Sequence, residues 1–324
     1  MPVNFLTKEQ QENYARSNAR LRLSGRYNVD PSEAQLARYF YLDDTDMNLI
    51  NQRRGEHNRL GFAVQLGTVR FLGTFLVNPA EVPAVVVDYL AKQLDITNKE
   101  CITRYGEGET HWDHAVEIKR FYGYHDFFDP LEYFSLVRWL YTRAWVSNER
   151  PSVLFDLATA RLVERKVLLP GVTVLARLIS RVRARVADRL WQTLAGKVDL
   201  QQRSKLSELL VIPEGTNLSG LDRLRRPPTR ISGPALVSAL NRLNEIGTIG
   251  VGEMSLAGVP HSRIEALARH AAAVRTQAIA RMTDERRIAT LLAFAREFEI
   301  RAMDFVLMSM LSMPSCFGIH CTWI

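Results

Sequence analysis

Four positions stand out for what they could recognise. Asn58, Gly61, Gln65 and Thr68 recur every three or four residues, the interval that places side chains on one stripe of a helix. An amide side chain carries a donor beside an acceptor, the pair that matches the edge of adenine. A glycine between two amides lets the backbone lie close to whatever the stripe faces. Arg53, Arg54 and Arg59 cluster where that helix would begin. A readable front with cations near the N-terminus is what a DNA-recognition helix requires. Solvated amides on a helical pair that binds nothing give the same pattern, so the stripe by itself leaves both readings open.

Further candidates are cationic or polar edges. Thr110, His114 and Glu117 fall on one expected exposed edge, with Lys119 and Arg120 adding charge and Thr110 as the expected cap. Arg177, Arg181, Arg185 and Arg189 stand four apart, a ridge of like charge. Like charges at that spacing destabilise a helix by a few tenths of a kcal/mol per pair. An anionic partner would relieve the repulsion, and so would acids from elsewhere in the fold. Arg223, Arg225, Arg226 and Arg230 precede and follow Pro227-Pro228 and form the densest basic cluster, fit for a backbone clamp or a minor-groove arm. Arg16, Arg20, Arg22 and Arg26 sit in a segment read as an arm or a solvated linker.

The elements that must position these groups are helices. Leu60, Val64, Gly67 and Phe71, widened by Phe62, Leu66 and Val69, predict the buried back of the helix carrying Gln65. A shorter helix precedes it, capped by Asp43 or Thr45, and Gly55 makes the turn. Pro31–Tyr41 is expected to complete a three-helix unit, with a helix from Phe5 to Tyr14 ahead of it. A second such unit follows: an amphipathic helix on Val82, Val85, Val86, Tyr89 and Leu90, a short helix from Lys99, a Gly106–Gly108 turn, and a helix over 111–122 burying Trp112, Ala115 and Ile118. Helices are then expected at 131–146 with Phe134, Val137, Leu140 and Tyr141 inward, from Pro151, over 171–194, at 234–246 with Leu236, Leu240 and Leu243 inward, at 260–274, and at 283–311. The last is apolar enough to imply packing against a neighbouring domain or a partner, including self-association. The fold class is therefore all-α, with domains at 1–76, 77–148 and 149–311, and an aperiodic tail at 312–324.

Composition narrows the classes. The chain has 324 residues, is 47% hydrophobic and 24% charged, and carries a net charge of +7. Residues 1–150 hold 18 Lys+Arg against 20 Asp+Glu, and residues 151–324 hold 24 against 15. The cationic excess lies wholly beyond residue 150, which suggests sequence reading first and phosphate holding later. No apolar run reaches membrane-spanning length, no export signal opens the chain, and three cysteines make no disulfide framework. A cytoplasmic, nucleoid-associated location is expected. Asp43, Asp44, Asp46, Asp129 and Asp284 sit at helix starts and read as caps, not catalysts. No histidine has arginine three places on and no tyrosine follows Tyr141, so a tyrosine recombinase is excluded. Cys316, His320 and Cys321 are three ligands in the tail, one short of a structural zinc site; no cofactor or metal is expected.

The run Arg53–Gly73, RRGEHNRLGFAVQLGTVRFLG, resembles the N-terminal region of the replicative transposases of the Tn-three family. The opening MPVNFLTKEQ with Ala34–Asp44, and the block His111–Phe127, resemble two further family segments, with weaker likeness to about Asp304. The resemblance implies tandem helix-turn-helix modules similar to centromere-binding protein domains, and double-stranded DNA at transposon terminal inverted repeats as the partner. It also implies that a catalytic part with three carboxylates and divalent metal lies beyond this sequence, and that the tail is a truncated or frame-shifted end. A helical interaction scaffold without a nucleic-acid role is the alternative.

Overall fold

The computed structural model describes residues 26–27, 29–226 and 233–312. The expected helix at Phe5–Tyr14, the arginines at 16, 20, 22 and 230, the two prolines at 227–228 and the tail with Cys316, His320 and Cys321 lie outside the described residues. Fifteen α-helices are described. Extended pairing among the described residues is confined to a bridge between His125 and Val167. The all-α expectation holds.

The helices of the first part are α1 (Glu33–Tyr39), α2 (Asp44–Asn51), α3 (Glu56–Leu72), α4 (Ala84–Gln93), α5 (Cys101–Glu107), α6 (Thr110–Tyr122), α7 (Pro130–Val146) and α8 (Pro151–Glu164). Capping fixes their starts. Ser32 accepts from the backbone N–H of Gln35, whose side chain answers the N–H of Ser32. Thus α1 begins at Glu33, two residues beyond the expected Pro31. Asp43 and Asp46 make the same reciprocal cap on α2, whereas Thr45 lies inside that helix. Gly55 at φ 81° and Gly73 at φ 76° bracket α3 with conformations that a side chain would strain.

The chain divides into two compact units. Among the described residues the first comprises those up to Tyr141 with Glu149–Val182, and the second comprises Thr142–Asn148 with those from Arg183 on. In the first, α3 is the axis. Twelve of its seventeen residues, Leu60–Val69 with Phe71 and Leu72, are buried. Helices α1, α2, α4, α5 and α6 all pack on it. One continuous apolar cluster runs from Leu36 to Ile118, so no break in the core separates residues before 76 from those after. A closing strap follows: His125 exchanges backbone hydrogen bonds with Lys166 and Leu168, and the N–H of Leu169 donates to Gly73 at 2.9 Å.

In the second unit the further helices are α9 (Val172–Ala195), which begins in the first, α10 (Leu200–Glu208), α11 (Gly220–Leu224), α12 (Gly233–Gly247), α13 (His261–Ala273), α14 (Thr276–Ala280) and α15 (Asp284–Ser312). The first half of α15 is the axis here. Ile288, Ala289, Leu291, Leu292, Ala293 and Ala295 are wholly buried, under α13, α12 and α10. The expected seam of α9 is buried from Leu175 to Leu190. Three inward expectations fail. Trp112 is 59% exposed, Phe134 67% and Leu240 39%; on the same helices His111, His114 and Ile118, Leu136 and Leu140, and Ala239 and Ile246 are the buried positions.

One ion pair fastens α2 to α3. Both Asp46 oxygens accept from Arg70 at 2.7 Å, and Tyr122 donates to the same carboxylate at 2.6 Å. Asp46 is 1% exposed. Burial opposes its charge most strongly, but Arg70, Tyr122 and the Asp43 N–H together outweigh it and hold the carboxyl below the ordinary value of 3.8. A depressed carboxyl contributes stability that is present above pH 3.8 and is lost as pH falls through its folded-state value. Replacing Asp46 by Ala strands the guanidinium and is expected to cost about 3 kcal/mol in a urea melt at pH 7. An unchanged midpoint would show that Arg70 is satisfied by solvent.

Candidate nucleic-acid interface

The stripe Asn58, Gly61, Gln65, Thr68 faces the interior. Gln65 is 3% exposed and Thr68 1%. The Gln65 amide donates to the Tyr105 hydroxyl at 2.5 Å and to the His111 carbonyl at 2.8 Å. Thr68 shares a 2.8 Å hydrogen bond with the Tyr27 hydroxyl. A Cβ built on Gly61 would stand 2.3 Å from the Tyr105 ring. The small and polar positions are thus the seat of α5 and α6. Asn58, half-buried, donates to the Arg54 carbonyl at 2.9 Å. Gln65 and Thr68 are thus inside the first unit and present no edge to a base, while the first turn of α3, with Asn58 and Arg59, is only partly buried.

His114 is corrected likewise. It is 5% exposed, stacked on Tyr105 at 5.6 Å between centroids, and its Nδ1 lies 2.9 Å from the Tyr105 hydroxyl. That hydroxyl also accepts from Gln65, so the amide, the phenol and the imidazole form one buried chain of hydrogen bonds. Burial, then the nearby Arg53 charge, push the His114 pKa down from 6.5 to about 4. Arg53 is itself committed. It pairs with Glu117 and its guanidinium carbon lies 4.9 Å over the Phe62 ring. Neither Arg53 nor Glu117 is free at the surface.

What does reach solvent around this core is a different set. Helices α5 and α6 are joined through Gly108 and Glu109 alone, a helix–tight turn–helix connection. The outward side of α6 carries Trp112, Val116 and Arg120 at four-residue intervals, with Asp113 beside them, all exposed. Thr110 is exposed but caps nothing: Glu109 is the N-cap residue and no side chain closes the helix start. Arg54 is exposed and Arg59 half-buried. The sequence predicts Trp112 inward with Ala115 and Ile118 and does not single out Val116; the four-residue spacing to Arg120 is the signal that could have found this side.

On α9 the expectation and the placement agree. Arg177, Arg181, Arg185 and Arg189 are all exposed. No ion pair or hydrogen bond engages their guanidinium groups among the described residues. At about 1.5 Å per residue the ridge extends roughly 18 Å. The 223–226 cluster is mixed. Arg223 pairs with Glu245. Arg225 donates to Asp222 at 2.9 Å, to Thr276 and to the Ala271 carbonyl, which makes it a strut between α11, α13 and α14, not a clamp. Arg226 is exposed.

Known proteins resemble this chain closely. A family model described as a domain of unknown function (DUF4158) matches residues 5–182. The transposase for transposon gamma-delta of Escherichia coli (strain K12) is 46% identical over 305 residues, 94% of this chain and 29% of that protein. The transposase for transposon Tn501 of Pseudomonas aeruginosa is 30% identical over 279 residues, 84% of this chain and 27% of that protein. The transposase for transposon Tn1546 of Enterococcus faecium is 28% identical over 74% of this chain. The chain spans less than a third of the length of these relatives.

Two outcomes test the inward placement. Gly61→Ala, harmless on a DNA-facing stripe, is expected to destabilise by about 1–3 kcal/mol in chemical denaturation through overpacking against Tyr105; neutrality would mean that the ring moves freely. A histidine held neutral when folded contributes stability that is lost as pH falls from 6.5 towards 4. His114→Gln, which keeps an acceptor for Tyr105, is expected to flatten that dependence in melts between pH 7 and 4.

Proposed function

This chain belongs to the Tn-three family of transposases, and from that premise we propose that it binds the terminal inverted repeats of its transposon as duplex DNA. The observation that carries the proposal is the α9 ridge. Four exposed arginines one turn apart have no internal partner among the described residues, although their mutual repulsion works against the helix. A duplex presents one phosphate per strand about every 3.4 Å of axis. A ridge of roughly 18 Å therefore faces about five of them, and neutralising them removes the repulsion. These contacts hold DNA without reading it.

Reading falls to α6 in this proposal, as the second helix of the α5–α6 pair. Its outward set is chemically varied. Arg120 suits guanine, Val116 and Trp112 suit a thymine methyl, and Asp113 suits the cytosine amine. Arg54 and Arg226 serve as additional phosphate contacts. Cutting and joining of strands are assigned to sequence outside the span that matches the relatives, with its divalent metal, so the chain alone binds and does not cleave. The exposed apolar stripe Ile300, Met303 and Leu307 near the end of α15 supports self-association as a second partner reading. No helix of the described residues is long and apolar enough to cross a membrane.

Footprinting on the transposon end, with a random duplex as competitor, is the decisive measurement. Protection of the repeat with a log–log salt slope of about −0.9 per phosphate contact is expected. Arg181→Ala should weaken every sequence alike and reduce the slope by about one contact, whereas Arg120→Ala should narrow the preference for the repeat by about 1–3 kcal/mol. Equal affinity for repeat and random duplex would leave only charge binding and would defeat the proposal.

A further inference from the structure

The second unit contains a cavity of about 300 Å³ with an unusual lining. Its walls include Phe294, Phe298 and Phe305, together with Arg225, Arg242 and Arg301. The rings of Phe294 and Phe298 are stacked at 5.9 Å. The guanidinium carbon of Arg242 lies 5.2 Å from the centroid of Phe298. Flat apolar and flat cationic surfaces therefore meet in one small space.

The cations there are held in place and incompletely answered. Arg242 donates to the Leu224 carbonyl and makes no ion pair among the described residues. Arg225 is braced by Asp222, Thr276 and the Ala271 carbonyl. The Nε of each is buried with no hydrogen-bond partner among the described residues, and a buried unmet donor is costly. Arg301 is exposed and makes no ion pair among the described residues.

These features restrict the occupant. An aliphatic chain would leave the charges unmet, and inorganic phosphate would leave the rings bare. A nucleotide meets both requirements: its base stacks on phenylalanine and guanidinium planes and its phosphate answers an arginine. The volume is at the small end of ligand pockets, too small for a helix or a duplex. We propose that this cavity takes a single unstacked nucleotide, its base against Phe298 and its phosphate towards Arg301. The proposal rests on the DNA-binding reading and names a second, local contact within it.

The test uses the full 324-residue chain and duplexes of the transposon end, either fully matched or with one mismatched pair moved along the sequence. Unpairing costs a few kcal/mol in a matched duplex and less at a mismatch. A mismatch at the right position is therefore expected to tighten binding by about tenfold or more. Ala302→Trp, which fills the cavity, should abolish that gain, and Arg301→Gln, at an exposed position, should reduce it. Binding of the matched duplex by Arg301→Gln should stay within about threefold. Millimolar deoxyadenosine monophosphate that erases the gain would place free nucleotides in the same site; no effect of it would assign the site to nucleotides within DNA. Tight matched binding with no gain at any position, or a gain that survives in both variants, overturns the cavity proposal alone. Failure to bind any duplex overturns the reading beneath it.

Discussion

The contact between Gly61 and the Tyr105 ring sets the geometry of the whole first unit. Only a residue without a Cβ lets the ring lie on α3, and that close approach brings the Tyr105 hydroxyl to Gln65 and His114. A second glycine, Gly67, admits the ring of Phe40 in the same manner. With one aromatic seated on each side, α3 has almost no surface left. It becomes a central post with the other helices around it, and its exposed part is chiefly its first turn, residues 56–59.

Polar groups inside such a core need complete partnering, since an unmet buried donor or acceptor costs as much as several good contacts return. The first unit gives Asp46 and Gln65 such partners through two small networks, whereas the Nε of Arg53 is buried without one among the described residues. Asp46, Arg70 and Tyr122 join α2, α3 and α6. Gln65, Tyr105, His111 and His114 join α3, α5 and α6. Both networks need one geometry only, so they specify how α5 and α6 sit. The same amide that could have matched adenine is satisfied instead by a phenol and a carbonyl.

The second unit handles charge in the opposite way. Its arginines divide into those consumed by structure and those left at the surface. Arg225 and Arg242 brace helices, Arg263 reaches Asn148 at 2.9 Å, and Arg286 lies over the Trp191 ring. Arg185 and Arg189 on α9 are of the other kind. Net charge could not separate the two, because a strut and a phosphate contact contribute equally to it.

The helical class, the position of most helices, the buried seams of α3 and α9, and the family were legible without coordinates, since they follow from local spacing, caps and the long run Arg53–Gly73. The exposure of the arginine ridge was legible for the same reason: a helix with one apolar seam leaves its opposite side outside. Long-range packing alone settled that neither stripe of α3 faces outward. Apolar and polar stripes on that helix are both buried, because α5 and α6 bring their own donors and a ring that needs a glycine opposite. Side-chain type states what a residue can bond to, but whether the bond goes to the protein itself or to a ligand depends on neighbours tens of residues away, and that choice put Gln65 in a core and Trp112 on a surface.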